Sequence, residues 1–104
     1  MQPYQHPITF ESSGNLARDY QFAFGDYDTN LTAYLPADRN AKILDIGCGW
    51  GQFLTWLKQK NYRDLEGIDL GSDQIEYCRS IGLNVSRVSD STRYLREKTN
   101  TYDM

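Results

Sequence analysis

The sequence predicts an α/β protein built on a parallel sheet with helices on both faces, and three observations predict it. Residues 42–46 read Lys-Ile-Leu-Asp-Ile, a short apolar run rich in β-branched side chains, as expected of a strand covered on both sides. Glycines then alternate at positions 47, 49 and 51. Beyond them Trp50, Phe53, Leu54 and Leu57 fall at i, i+3, i+4 and i+7, the spacing of an amphipathic helix. Strand, glycine turn and helix in this order open a nucleotide-binding βαβ unit. Lacking side chains, the turn lets a ligand come close to the backbone and tolerates positive φ. The helix start beyond it offers unpaired N–H groups and a partial positive charge.

The other elements follow in order. Residues 1–14 contain Pro3, Pro7, Ser12, Ser13 and Gly14 and read as an irregular lead-in. From Asn15 the spacing of Leu16, Tyr20, Ala23 and Phe24 predicts a helix, which Gly25-Asp26 should break. Asp28 then caps a second short helix presenting Leu31, Tyr34 and Leu35, with Pro36 as its stop. These helices are expected to lay an aromatic stripe on one face of the sheet. Tyr20, Phe24 and Tyr27 are also candidates for a lid, because aromatic faces attract cations. After a helix over about 51–60, Asn61-Tyr62 turns the chain into a second strand, Asp64 to Asp69. Ser72 should cap the next helix, with Asp73 and Glu76 near its positive end and Ile75, Cys78 and Ile81 facing the sheet. Gly82 ends that helix. A third strand covers 84–88, and Asp90 or Ser91 caps a short helix over 92–96.

The glycine spacing separates two ligand classes. A dinucleotide fingerprint is G-x-G-x-x-G. Here the pattern is G-x-G-x-G, Gln52 occupies the third-glycine slot, and Asp45 lies two residues ahead of the first glycine. The stretch Ile-Leu-Asp-Ile-Gly-Cys-Gly-Trp-Gly resembles motif I of the class I S-adenosylmethionine-dependent methyltransferases. Gly67-Ile68-Asp69-Leu70 resembles the family's motif II, and Asp69 lies 18 residues past Gly51. The resemblance covers about residues 15–104 and implies a Rossmann-like sheet whose strands run in the order 3-2-1-4-5-7-6. It implies that Asp45 orients the turn and the methionine end of S-adenosylmethionine, which the backbone of Gly47, Cys48 and Gly49 approaches closely. Asp69 would accept hydrogen bonds from both ribose hydroxyls, charge-assisted bonds that a 2′-phosphate would disrupt. Leu70 would pack on adenine, and Asp90 and Ser91 would meet the adenine edge. Tyr102-Asp103 resembles the start of the fourth strand. The fold is thus expected to be truncated after strand 3 or early in strand 4, an N-terminal cofactor-binding half whose exposed sheet edge invites a homodimer.

A chain of 104 residues is one domain at most, read as a helical lead-in or lid over 1–40 and a cofactor-binding half over 41–104. No apolar run approaches the ~20 residues that span a membrane, and no signal pattern opens the chain. A net charge of −3 without a basic tract argues against nucleic acid as partner. Cys48 and Cys78, 30 residues apart beside a single His, make neither a zinc site nor a disulfide framework, and a cytoplasmic protein with two free thiols is the simplest account. Cys78 reads as a small core residue and Cys48 as a backbone position of the turn. The leading functional expectation is methyl transfer from S-adenosylmethionine to a small-molecule or sugar acceptor, with no nameable catalytic base and no metal. A non-catalytic module holding S-adenosylmethionine or its demethylated product is the alternative, and a nicotinamide-dependent oxidoreductase the third.

Overall fold

The computed structural model describes residues 13–98 and 102–104. The lead-in expected over 1–14 falls outside them as far as residue 12, and Ser13 already belongs to a helix. The described elements are α1 (Ser13–Asn30), a 3-10 turn (Thr32–Tyr34), β1 (Lys42–Ile46), α2 (Gln52–Gln59), β2 (Asp64–Asp69), α3 (Ser72–Ser80), β3 (Val85–Arg87) and α4 (Ser91–Glu97). The strands form one parallel sheet in the order β1-β2-β3, with Ile43 opposite Leu65 and Gly67 opposite Val85. This is the 3-2-1 half of the expected Rossmann-like sheet. Each parallel step is made by a helix, as parallel pairing requires.

Side-chain alternation divides the sheet into two faces. Ile43, Leu65 and Val85 point to the side covered by α1, α2 and α3. One core cluster there joins Ile43 to Trp56, Leu57 and Tyr62, and a second joins Cys48 and Leu54 to Ile75, Cys78, Leu83 and Val85. On the opposite face Glu66 accepts hydrogen bonds from the hydroxyls of Tyr94 on α4 and of Tyr102, the latter at 2.7 Å. Residues 102–104 lie beside β1. Leu44 N–H donates to the Met104 carbonyl at 2.7 Å, and Met104 N–H to the Lys42 carbonyl at 3.3 Å, the parallel pattern about Ile43. The stub of a fourth strand is where the sequence places it.

Four local expectations fail. The helix does not break at Gly25-Asp26; α1 runs through to Asn30. Glycine inside a helix costs only about 1 kcal/mol relative to alanine. Against that cost Tyr27 packs edge-on to Phe53 and tilted on Trp56, both at 5.3 Å between ring centroids. Asn30 Nδ2 also donates to Asp26 Oδ1 at 2.8 Å. Asp28 therefore caps nothing. Its Oδ1 accepts from Trp56 Nε1 at 2.9 Å and pairs with Lys60 at 3.1 Å, fastening α1 to α2. Ser72 is not a cap either: Gly71 precedes α3 without a side-chain cap bond. Ile81, at the end of α3, is 38% exposed, and Leu83 fills the core position expected of it.

The Glu66 carboxylate is the shared acceptor for two segments far apart in sequence, so Glu66→Ala should leave both tyrosine hydroxyls without it. Urea denaturation should show a loss of about 1–3 kcal/mol, with Glu66→Gln, which keeps an acceptor oxygen, losing less.

Candidate functional site

The carboxyl ends of β1 and β2 meet at the glycine turn. Gly47, Gly49 and Gly51 have φ of +72°, +55° and +85°, the left-handed region that side chains disfavour. The turn is laid across the end of β2. Gly47 N–H and Cys48 N–H donate to the Ile68 carbonyl at 2.8 and 3.0 Å, and Gly49 N–H donates to Asp69 Oδ2 at 2.9 Å. The other oxygen of Asp69 accepts Gly71 N–H at 2.8 Å, so one carboxylate clasps both the turn and the approach to α3. Beneath the turn the Cys78 thiol donates to the Gly49 carbonyl at 3.3 Å. From α1 the Tyr20 hydroxyl donates to the Trp50 carbonyl at 2.5 Å, and burial pushes its pKa up, which keeps it a donor.

Gly51 is closed to a side chain: a Cβ there would meet Leu83 Cδ1 at 2.6 Å. At Gly47 a Cβ would meet nothing within 4 Å. Two crevices share Gly47 as lining. The first, of about 670 Å³, lies between α1 and the turn, with Asp19, Phe22, Tyr27, Asp45 and Gly49 among its walls. The second, of about 290 Å³, lies over the strand ends, with Ile46, Asp69, Leu70, Ser89 and Ser91 among its walls. A third hollow, of about 410 Å³ and lined by Lys58, Arg63 and Leu83 among others, contains none of the motif residues.

The electrostatics favour a cation over a phosphate. The N–H groups of 47, 48 and 49 all point to internal acceptors, so they make no amide cradle for a pyrophosphate. Two carboxylates, Asp19 and Asp45, line the first crevice. Burial, and then the negative charge of Asp69, push the Asp45 carboxyl up to about 6.

Most residues singled out in the sequence come together. Asp45, Gly47, Cys48 and Gly49 wall the first crevice, and Asp69, Leu70 and Ser91 the second. Leu70 is 61% exposed on the rim, an apolar surface turned to the opening. Asp90 stands apart. Its Oδ1 accepts Arg93 N–H at 3.0 Å as the cap of α4, and Ser89, which the motif comparison passed over, lines the crevice beside Ser91. Of the lid candidates, Tyr27 lines the first crevice, Tyr20 supports the turn, and Phe24 packs into the core. Asp19 and Phe22 were also missed; Phe22 and Ala23 lie three and four residues past Asp19, and Tyr27 four past Ala23, a single helix face that becomes plain only once α1 is known to be continuous.

Over residues 24–104 the sequence matches the family described as Methionine biosynthesis protein MetW. The chain belongs to the MetW family. Its fold is that of the class I S-adenosylmethionine-dependent methyltransferases. A crystal structure of such a methyltransferase from Archaeoglobus fulgidus superimposes with a TM-score of 0.62 at 28% identity, over 75% of this chain and 33% of that one. One from Mesorhizobium loti gives 0.53 at 27% identity, over 61% and 31%. The sphingolipid C9-methyltransferase of Candida albicans is 35% identical over 51 residues, 49% of this chain and 10% of that enzyme. The chain thus spans about a third of its structural relatives and a tenth of the curated one.

The raised Asp45 pKa has a direct consequence. Unfolded, an aspartate titrates near 3.9, so the folded chain holds the proton more tightly, and stability falls as pH rises from about 4 to 6 and levels off above. Asp45→Asn should gain about 1–2 kcal/mol at pH 7, allowing for partial exposure, and nothing at pH 4. Denaturation curves at the two pH values check this; equal gains at both would contradict it.

Proposed function

We propose that this chain is the cofactor-binding portion of an S-adenosylmethionine-dependent methyltransferase. The observation that carries the reading is Gly47, a bare position that lines both an acidic crevice and an apolar-rimmed one at the carboxyl ends of β1 and β2. The residues present fit the adenosyl cofactor. Asp45, beside the bare backbone of 47–49, suits the cationic methionine end. Each oxygen of Asp69 accepts one backbone N–H and keeps a lone pair for a ribose hydroxyl. Leu70 offers an apolar surface to adenine, with Ser91 beside it and Asp90 at the adjoining cap. The names of the relatives support the same cofactor.

When bound, the cofactor supplies an electrophilic methyl group that departs from sulfur as the acceptor's nucleophile attacks in line. The chain's share is to bind and orient. Asp45 and the turn fix the methionine end, Asp69 fixes the ribose, and α1 lines the crevice with Phe22, Ala23 and Tyr27. The acceptor reading is a small molecule or sugar, in keeping with an acidic crevice that repels phosphate backbones. We place the protein in the cytoplasm, in keeping with its two free thiols.

Calorimetric titration should detect S-adenosylmethionine and S-adenosylhomocysteine but not NAD. Asp69→Ala should weaken binding about tenfold or more, because it removes a ribose acceptor and the clasp on Gly49 together. Gly47→Val should abolish binding, both by crowding the crevices that Gly47 lines and by straining the turn at its φ of +72°. NAD binding, or full affinity in both variants, would overturn the assignment.

A further inference from the structure

Two cysteines that the sequence reading treated separately meet beneath the glycine turn. Cys48 lies within it and Cys78 faces it from α3; both belong to one core cluster, and each is buried. Each thiol shifts the other's ionisation, Cys48 upward and Cys78 downward, as in a pair where Cys48 donates to the Cys78 sulfur. Two glycines leave the space the sulfurs occupy: a Cβ on Gly67 would lie 3.0 Å from Cys48 Sγ, and a Cβ on Gly51 would lie 3.0 Å from Cys78 Sγ. The Cys78 thiol also supports the Gly49 carbonyl at 3.3 Å. The pair thus touches the strand end, the turn and α3 at once, directly under the backbone that walls both crevices.

We propose that Cys48 and Cys78 form a reversible disulfide that closes the glycine turn to its ligand. The oxidant is a small hydroperoxide, able to reach buried sulfur. The hydrogen bond from Cys48 holds the Cys78 thiol below its usual pKa, so Cys78 is the attacking thiolate. Its sulfur takes one oxygen from hydrogen peroxide, giving a sulfenic acid and hydroxide. The Cys48 sulfur then displaces the sulfenic hydroxyl, the disulfide bond forms, and its proton leaves with that hydroxyl as water. In total two thiols and one peroxide give one disulfide and two waters. The sulfurs move from hydrogen-bond contact to a bond of about 2.05 Å, and the Gly49 carbonyl loses its thiol donor. The shortened sulfur contact draws Cys48 toward α3, while the freed Gly49 carbonyl leaves its place in the turn. A thiol reductant reverses them.

The effect on ligand rests on the reading of the site given above; the disulfide itself does not. The full chain is treated with hydrogen peroxide, mapped by non-reducing peptide mass spectrometry, and titrated with S-adenosylhomocysteine before oxidation, after it, and after dithiothreitol. The expected result is a 48–78 cross-linked peptide and affinity about fivefold weaker or more, restored by the reductant. Cys78→Ala and Cys78→Ser should keep their affinity through the peroxide step. No cross-link, sulfinic acid on either cysteine in its place, or a cross-link with unchanged affinity overturns the proposal. A reduced chain that binds no S-adenosylhomocysteine overturns the functional reading instead, and the peptide map alone then decides the disulfide.

Discussion

The arrangement depends on one carboxylate. Asp69 stands at the end of β2 and accepts Gly49 N–H with one oxygen and Gly71 N–H with the other. Charge-assisted bonds to backbone are strong, and here they tie the β1 turn to the β2–α3 connection through one side chain. With Ile68 taking the N–H groups of 47 and 48, the turn is pinned flat across the strand end. Gly47 is then left facing open space, with the crevices on either side of it. The same group that shapes the site keeps lone pairs directed toward it.

Behind the turn, support comes from chain segments distant in sequence. Tyr20 reaches from α1 to Trp50, and Cys78 reaches from α3 to Gly49. α1 is itself held to α2 by Asp28, through Trp56 and Lys60, and by the Tyr27–Phe53–Trp56 rings. Edge-to-face and offset ring pairs add to the apolar burial they accompany. The wall of the first crevice is therefore as rigid as the α1–α2 contact. On the far face Glu66 plays the corresponding part, joining α4 and residues 102–104 to the middle of the sheet.

The sheet, its parallel order and the turn were legible because their signals are local. An apolar β-branched run, glycines at alternate positions and an acidic residue at the next strand end each constrain the backbone within a few residues. What was not legible depended on tertiary contact. Gly25 breaks a helix by propensity, yet its cost is smaller than the aromatic packing that carries α1 past it. Asp28 carried a cap signal, but its partners lie on α2. The Asp90 cap, by contrast, was legible, because its bond to Arg93 N–H is local. The meeting of Cys48 with Cys78 follows from the crossing of α3 beneath the turn, which their spacing of 30 residues did not reveal.

The most direct test of the account is a crystal structure of the chain with S-adenosylhomocysteine. The account predicts the ribose hydroxyls on Asp69, the amino-acid end against the backbone of 47–49, and adenine between Leu70 and Ser91. Ligand held in the hollow beside Lys58 and Arg63, or the crevices at Gly47 open and empty at saturating concentration, would contradict it.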